Sequence, residues 1–430
     1  MASLSASTSP RLSVGEGLSL LFKLAVLFPP NLLVSLLRSY TLAALRGIPL
    51  QHFATCAFYR VALHGLTPRQ LQFIQPSTEA VYAAWLTRRQ SRAAAANLKH
   101  KRDSNSNGNG NGNGDPEAAF LASRLRLDTE PLPDGRSSLL WIGDRQRATR
   151  FVLFFHGGGY MAPALPGHLE WCARAYLLAS PAARKSNAAC EGAKEEEVAV
   201  AVLQYTLCPE GRYPTQLRQA AAALAHLFAS GRVRPGNLVL GGDSAGGNLM
   251  AQVLGHLLRP NAAVGGPVEG LSLLRAGGER LAGAFLVSPV LSVSSRWASV
   301  RRNGGIDMLS ASSAATLKYW MLEGVEEYEA EVGEGKGWAM PMDLEDVEGW
   351  FRGLDSIVKD VYVTVGEQEV LLDHGVGFAD AVRRGNPGLT VQLDVMKNEA
   401  HDWILMEGGK GVDGDAMKRM RAWFVGVLGL

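Results

Sequence analysis

The sequence predicts an α/β fold: a mainly parallel sheet with helices on both faces and a helical cap. Three observations predict it. Short apolar runs such as FVLFF (151–155) and VAVAVLQY (198–205) alternate with amphipathic stretches such as TQLRQAAAALAHLFAS (215–230). That pattern suits strands buried on both faces and joined by crossover helices. LVLGGDSAGGNLM (238–250) passes from an apolar strand through glycines and a serine into a helix. Ligands of such sheets sit beyond the carboxyl ends of the strands, where this turn falls. Finally, about seventy residues separate two later strands, too many for a single crossover.

The chain opens on an apolar, basic segment. Within GLSLLFKLAVLFPPNLLVSLLRSYTLAALRG (17–47), Lys23, Pro29-Pro30 and Arg38 interrupt the apolar residues. No unbroken run reaches the roughly 18–20 residues that cross a bilayer. It is also a poor signal peptide, because charge lies inside the apolar part and no small-x-small cleavage site follows. Two apolar helices separated at Pro29-Pro30 are expected. Two readings of them stay open: packing on the protein's own core, or contact with an intracellular membrane surface such as the endoplasmic reticulum. Residues 1–100 are expected to contribute to the cap. The tract SNSNGNGNGNGD (104–115) marks a flexible linker over 101–117, and 118–430 forms the α/β domain.

In that domain SLLWIG (138–143), FVLFF, VAVAVLQY, NLVLGG (237–242), GAFLVSPV (283–290), VYVTV (361–365) and TVQLDV (390–395) are predicted strands. LPGHLEWCARAYLLAS (165–180), the 215–230 stretch, AGGNLMAQVLGHLL (245–258) and 415–428 are predicted helices, and 181–197 is a polar loop. A cap insertion covers about 292–355, with helices in LSASSAATLKYWML (309–322) and MDLEDVEGWFRGL (342–354). Its Trp320, Trp338 and Trp350, with the N-terminal Leu and Phe residues, are expected to line an oily pocket.

Composition excludes other classes. Lys and Arg number 43 against 41 Asp and Glu, a net charge of +2 that gives no reason to expect nucleic acid. The balance is uneven, since residues 1–100 hold ten Lys/Arg against Glu16 and Glu79, leaving +8 there and −6 beyond. Such asymmetry favours an anionic partner or membrane surface for the N-terminal part. Cys56, Cys172, Cys190 and Cys208 are scattered, with no CxxC and no neighbouring His at zinc spacing, so neither a metal site nor a disulfide framework is expected. With no N-x-S/T site, the balance favours an intracellular, cytosol-facing protein.

Gly242-Asp243-Ser244-Ala245-Gly246 then acquires a chemical reading. A serine at a strand-to-helix turn with small residues two positions to either side matches the nucleophile-elbow pattern. The turn is sharp enough to strain the serine backbone, and a Cβ on either flank would strike neighbouring chain. The alternative is a glycine-rich turn with a capping serine. HGGGY (156–160) follows a buried strand and exposes backbone N–H groups that no side chain covers. With no GxGxxG and no GK[ST], phosphate binding is disfavoured. Gly158 and Gly159, with the N–H of Ala245, are assigned to an oxyanion hole, and His156 to shaping the loop.

A serine nucleophile needs a base. His226 and His256 lie in Ala- and Leu-rich helices and read as structural, whereas His401 in KNEAHDWILM follows the last strand. The order Ser, acid, His suits it. Three acids compete in GEQEVLLDHG after VYVTV. Asp373 is placed as cap of the next helix, Glu367 toward solvent, and Glu369 with the reach to hold the His401 imidazole.

Together HGGGY, YTLCPEGRYPTQL (205–217), GDSAGGN (242–248), VSP (287–289), GEQEVLLD (366–373) and EAHDW (399–403) resemble the hormone-sensitive-lipase-like family of α/β-hydrolases. The resemblance spans about 140–425 and is nearest to fungal esterases, some of them membrane-bound steryl acetyl hydrolases, others acting on secondary metabolites. It implies Ser244 as nucleophile, His401 as base and no cofactor. The family's triad acid is usually an aspartate four residues before a second one; Asp373 matches the second and Glu369 stands at the first. The resulting expectation is a serine carboxylester hydrolase for an apolar ester of a lipid, sterol or secondary metabolite. The alternatives are amide, thioester or lactone cleavage, acyl transfer, or a non-catalytic binding protein on the same fold.

Overall fold

The computed structural model describes residues 10–106, 116–185, 196–265 and 278–430. The core of the linker tract, most of the polar loop after 181, and Cys190 lie outside the described residues. Helical residues run from Thr78 to Ser106 and resume at Pro116.

Among the described residues eight strands form one sheet: β1 (Thr129–Pro131), β2 (Ser138–Ile142), β3 (Arg150–Phe155), β4 (Val198–Gln204), β5 (Leu238–Asp243), β6 (Gly283–Val287), β7 (Asp360–Gly366) and β8 (Thr390–Met396). Their order is β1-β2-β4-β3-β5-β6-β7-β8. β1 and β2 run antiparallel at one edge, and the pairs from β4 to β8 are parallel. The predicted α/β class with a mainly parallel sheet is the one observed. β1 went unread because three residues ending in proline carry no apolar run. β6 stops at Val287, short of the expected Val290, because Ser288 turns at φ 45° and Pro289 has no N–H for a ladder.

The strands alternate between two cores. Phe151, Leu153 and Phe155 of β3 pack on one face with the helices Thr215–Ala229 and Ala245–Leu258. Val152 and Phe154 pack on the other with the segment Pro166–Ala179 and the helix Asp415–Leu428. Period-two alternation with both faces apolar is why these runs read as continuous. Each such side chain contributes about 1.5–3 kcal/mol by leaving water.

Two helical expectations are corrected. The segment before and after Pro29-Pro30 is one helix, Val14–Arg46, not two. A π-type turn at Lys23–Leu27 precedes the prolines, which sit in the first turn of the following stretch. Val14–Arg46 is the described helix long and apolar enough to cross a membrane by length and composition, and only Leu20, Ser35, Ser39 and Ala43 along it are buried. The stretch 342–354 is not one helix but short turns at Pro341–Asp343, Val347–Trp350 and Leu354–Ser356.

A third apolar cluster ties the parts above the sheet together. Ala43, Phe53 and Cys56 from the N-terminal helices, and Ile48 from the turn between them, meet Ile306 and Met308 of the insertion and Ala400 beside His401.

Candidate active site

Ser244 stands between β5 and the helix Ala245–Leu258 at φ 51°, ψ −112°, a region that a residue with a Cβ visits only under constraint. Two contacts impose it. The Ser244 N–H donates to the Val287 carbonyl at 2.8 Å, and the flanking glycines let β3 press close. A Cβ on Gly242 would lie 2.0 Å from the Phe155 carbonyl oxygen, and one on Gly246 1.9 Å from the same atom. Both flanks are thus glycine for one steric reason.

The predicted residues converge although hundreds of positions separate some of them. His401 Nε2 lies 3.0 Å from Ser244 Oγ. Glu369 Oε2 lies 3.7 Å from His401 Nδ1, an ion-pair distance longer than a hydrogen bond. Gly158 and Gly159, at φ 104° and 63°, border the same cavity as Ser244 and His401. Ala245 opens the helix, so its N–H has no carbonyl one turn back to bond.

Glu367 and Asp373 are held elsewhere. Glu367 does not face open solvent: it is half-buried and accepts the Asn398 N–H at 3.0 Å. Asp373 does not cap its own helix, which begins at Leu372. Its carboxylate accepts the Ser299 N–H at 2.8 Å, in the first turn of the insertion helix Ala298–Asn303.

Sequence reasoning missed five supporting residues. Asp243, the variable residue of the elbow, accepts the Gly157 N–H at 3.0 Å through Oδ1 and meets His168 Nε2 at 3.0 Å through Oδ2. His168 Nδ1 accepts the Leu165 N–H, so Nε2 carries the proton donated to Asp243. Burial disfavours charge on His168, but Asp243 outweighs it and raises the ring's pKa. This clamp ties the glycine loop to the elbow. Ser288 Oγ donates to Glu369 Oε2 at 2.6 Å and accepts the Asp402 N–H at 3.2 Å. Asp307, fully buried, accepts the N–H groups of His401 and Met308 with Oδ1 and that of Val370 with Oδ2. Burial raises its pKa against those bonds.

Asp402 is the fifth. In left-handed conformation at φ 53°, it brings Oδ2 to 3.1 Å from His401 Nε2, the nitrogen that also faces Ser244. Its Oδ1 has no hydrogen-bond partner among the described residues. Burial disfavours the charged imidazole, yet the Asp402 and Glu369 carboxylates outweigh it and hold the His401 pKa well above the usual value. Burial, reinforced by Asp243 and Glu369, pushes the Asp402 carboxyl up. His156, by contrast, stacks on Tyr205 and its pKa falls to about 4 through burial.

Ser244 and His401 border a cavity of about 390 Å³. Its walls are Leu24 and Phe28 of the long N-terminal helix, Phe58 and Leu63 of the helix Leu50–Gly65, Leu71, and Leu317 of the insertion. The expected tryptophans do not line it. Trp338 and Trp350 pack on each other at 5.2 Å, the Trp338 N–H is taken by the Arg259 carbonyl, and Trp320 packs at the edge of the main core. Among the described residues, no group of three or more His, Cys, Asp or Glu side chains could hold a metal ion.

Residues 152–405 match the model of a family described as the alpha/beta hydrolase fold. The carboxylic ester hydrolase LipN of Mycobacterium tuberculosis is 35% identical over 132 residues, 30% of each chain. An ethyl acetate hydrolase of Pseudomonas putida is 26% identical over 261 residues, 59% of this chain and 66% of that protein. The chain thus spans less than two thirds of the length of these relatives. An esterase from the bacterial hormone-sensitive lipase family, 21% identical, superposes with a TM-score of 0.50 over 82% of this chain and 99% of its own. At that identity the likeness speaks for the fold.

Proposed function

The chain belongs to the α/β-hydrolase fold family, and from that premise we propose that it is a serine carboxylester hydrolase. The observation that carries the reading is the 3.0 Å approach of His401 Nε2 to Ser244 Oγ in a strained turn facing an apolar cavity. His401 takes the Oγ proton as Ser244 attacks the ester carbonyl. The oxyanion is held by the N–H groups of Gly158, Gly159 and Ala245, and Glu369 stabilises the imidazolium across Nδ1. Collapse expels the alcohol, which takes its proton from His401. Water activated by the same ring then frees the acyl enzyme. The names of the relatives support this chemistry.

The cavity walls favour an apolar ester, and the fungal resemblance suggests a short-acyl ester of a lipid, sterol or secondary metabolite. Residues 1–100 and the insertion at about 292–355 serve as cap over the 118–430 domain. The exposed apolar side chains of residues 17–47 supply contact with an intracellular membrane. Ser244→Ala and His401→Ala test the reading: each is expected to lose ester hydrolysis by about 10⁴-fold or more with the fold intact. Activity within tenfold of the parent in either would refute it.

A further inference from the structure

We propose that the outer face of the Val14–Arg46 helix lies flat in one leaflet of a bilayer, and that the Ser244 cavity opens into that leaflet. Ester then enters from lipid and not from water. The surface argument stands alone; the substrate route rests on the hydrolase reading above.

Exposed large apolar side chains are concentrated in one place. Among the described residues twenty are exposed, and fifteen of them fall between Val14 and Ile74. A monomer in water does not ordinarily gather such a patch. Leu18, Leu21, Leu33 and Leu37 are each about 60% exposed or more. Charge complements an anionic headgroup layer: between residues 11 and 74, Arg11, Arg38 and Arg69 are exposed and Lys23 and Arg46 half-exposed against Glu16 alone, while Arg60 is buried in the cap.

The helix is pinned along its length, which decides between lying and spanning. Near its start the Glu16 carbonyl accepts Gln70 Nε2, and Lys23 Nζ donates to Gln70 Oε1. Midway Ser35 Oγ donates to the Ala57 carbonyl. At its end Arg46 Nη1 donates to Gln368 and Asn303, beside the Glu369 loop. A helix of 33 residues is about 50 Å long, beyond the roughly 30 Å hydrocarbon core. To span, it would have to leave its own cap. Lying flat, it keeps every one of these bonds and gives its free face to acyl chains.

The cavity shares this face. Leu24, Phe58 and Ile74 line it and are themselves 40%, 47% and 48% exposed, so the cavity reaches the surface among the side chains that would meet lipid.

The full chain is compared with a Leu18→Glu, Leu21→Glu, Leu33→Glu, Leu37→Glu variant, none of whose changed positions lines the cavity. Readouts are flotation with phosphatidylcholine vesicles holding about one-third phosphatidylserine, turnover of water-soluble nitrophenyl acetate, and turnover of a long-chain nitrophenyl ester dissolved in those vesicles. The expected result is a loss of flotation and of vesicle-ester turnover by about tenfold or more, with soluble-ester turnover unchanged. Unchanged flotation or unchanged vesicle-ester turnover would overturn the proposal. So would resistance of the parent to alkaline carbonate extraction, which marks a spanning helix, or a parent dimer that the variant dissolves while neither protein floats. A parent that floats but cleaves neither ester refutes the hydrolase reading and upholds the docking.

Discussion

Asp402 Oδ2 sits 3.1 Å from His401 Nε2, the same nitrogen that lies 3.0 Å from Ser244 Oγ. A carboxylate there stabilises the imidazolium and opposes the neutral ring. Through this pairing the His401 pKa lies well above its ordinary value, and kcat/KM should rise with pH through that raised pKa. Removing the carboxylate in Asp402→Asn lowers the pKa of the base. The acid limb of the profile is therefore expected to move to lower pH, by about one unit or more. A limb that stays in place or moves up would show that Asp402 does not act on the ring.

Glu369 is the acid nearest Nδ1. Glu369→Gln should lower kcat by about 10²–10⁴-fold with little change in KM, while Glu367→Gln and Asp373→Asn remain within about threefold of the parent. Steady-state kinetics on a soluble acetate ester separates the three. A larger loss at Glu367 or Asp373 would reassign the acid.

Asp307 joins the insertion to the loops carrying Glu369 and His401 through the buried N–H groups of Val370 and His401, and also accepts that of its neighbour Met308. In Asp307→Asn an amide N–H₂ replaces one accepting oxygen and faces a donor. A loss of about 2–3 kcal/mol is expected, read as a lower urea midpoint at unchanged m-value. A change under about 0.5 kcal/mol would mean that these bonds hold nothing in place.

Phe28 belongs to the cavity wall and Trp350 does not. Phe28→Ala is expected to lower kcat/KM for a bulky apolar ester by about tenfold or more while sparing a small acetate. Trp350→Ala should cost stability through its lost packing on Trp338 and leave the ratio of the two esters unchanged. Equal effects of Phe28→Ala on both esters would remove that wall from substrate selection.

Strands β2 to β7 were legible because each is buried on both faces, so its apolar character is continuous along the chain, whereas β8 is a partly exposed edge strand whose apolar residues alternate. The helix Val14–Arg46 was misread as two because proline usually breaks a helix, and nothing local announces the π-type turn that accommodates Pro29-Pro30. The meeting of Ser244, His401 and the glycine loop was legible because each stands in a turn beyond the carboxyl end of a strand. Asp402 adjoins His401 in sequence, but its approach to Nε2 depends on a left-handed backbone that no spacing predicts. Asp307 and the Asp243–His168 clamp act through contacts 63 to 94 positions away in the chain, beyond any local signal. The tryptophans were wrongly placed in the pocket because apolar character says that a side chain is buried, not which space it fills.

Fluorophosphonate labelling with peptide mapping tests the central claim most directly. A single adduct on Ser244 is expected, absent from Ser244→Ala, weakened in His401→Ala, and formed in step with the loss of ester hydrolysis. A parent protein that hydrolyses esters while Ser244 stays unlabelled, or one that takes no label at all, would contradict it.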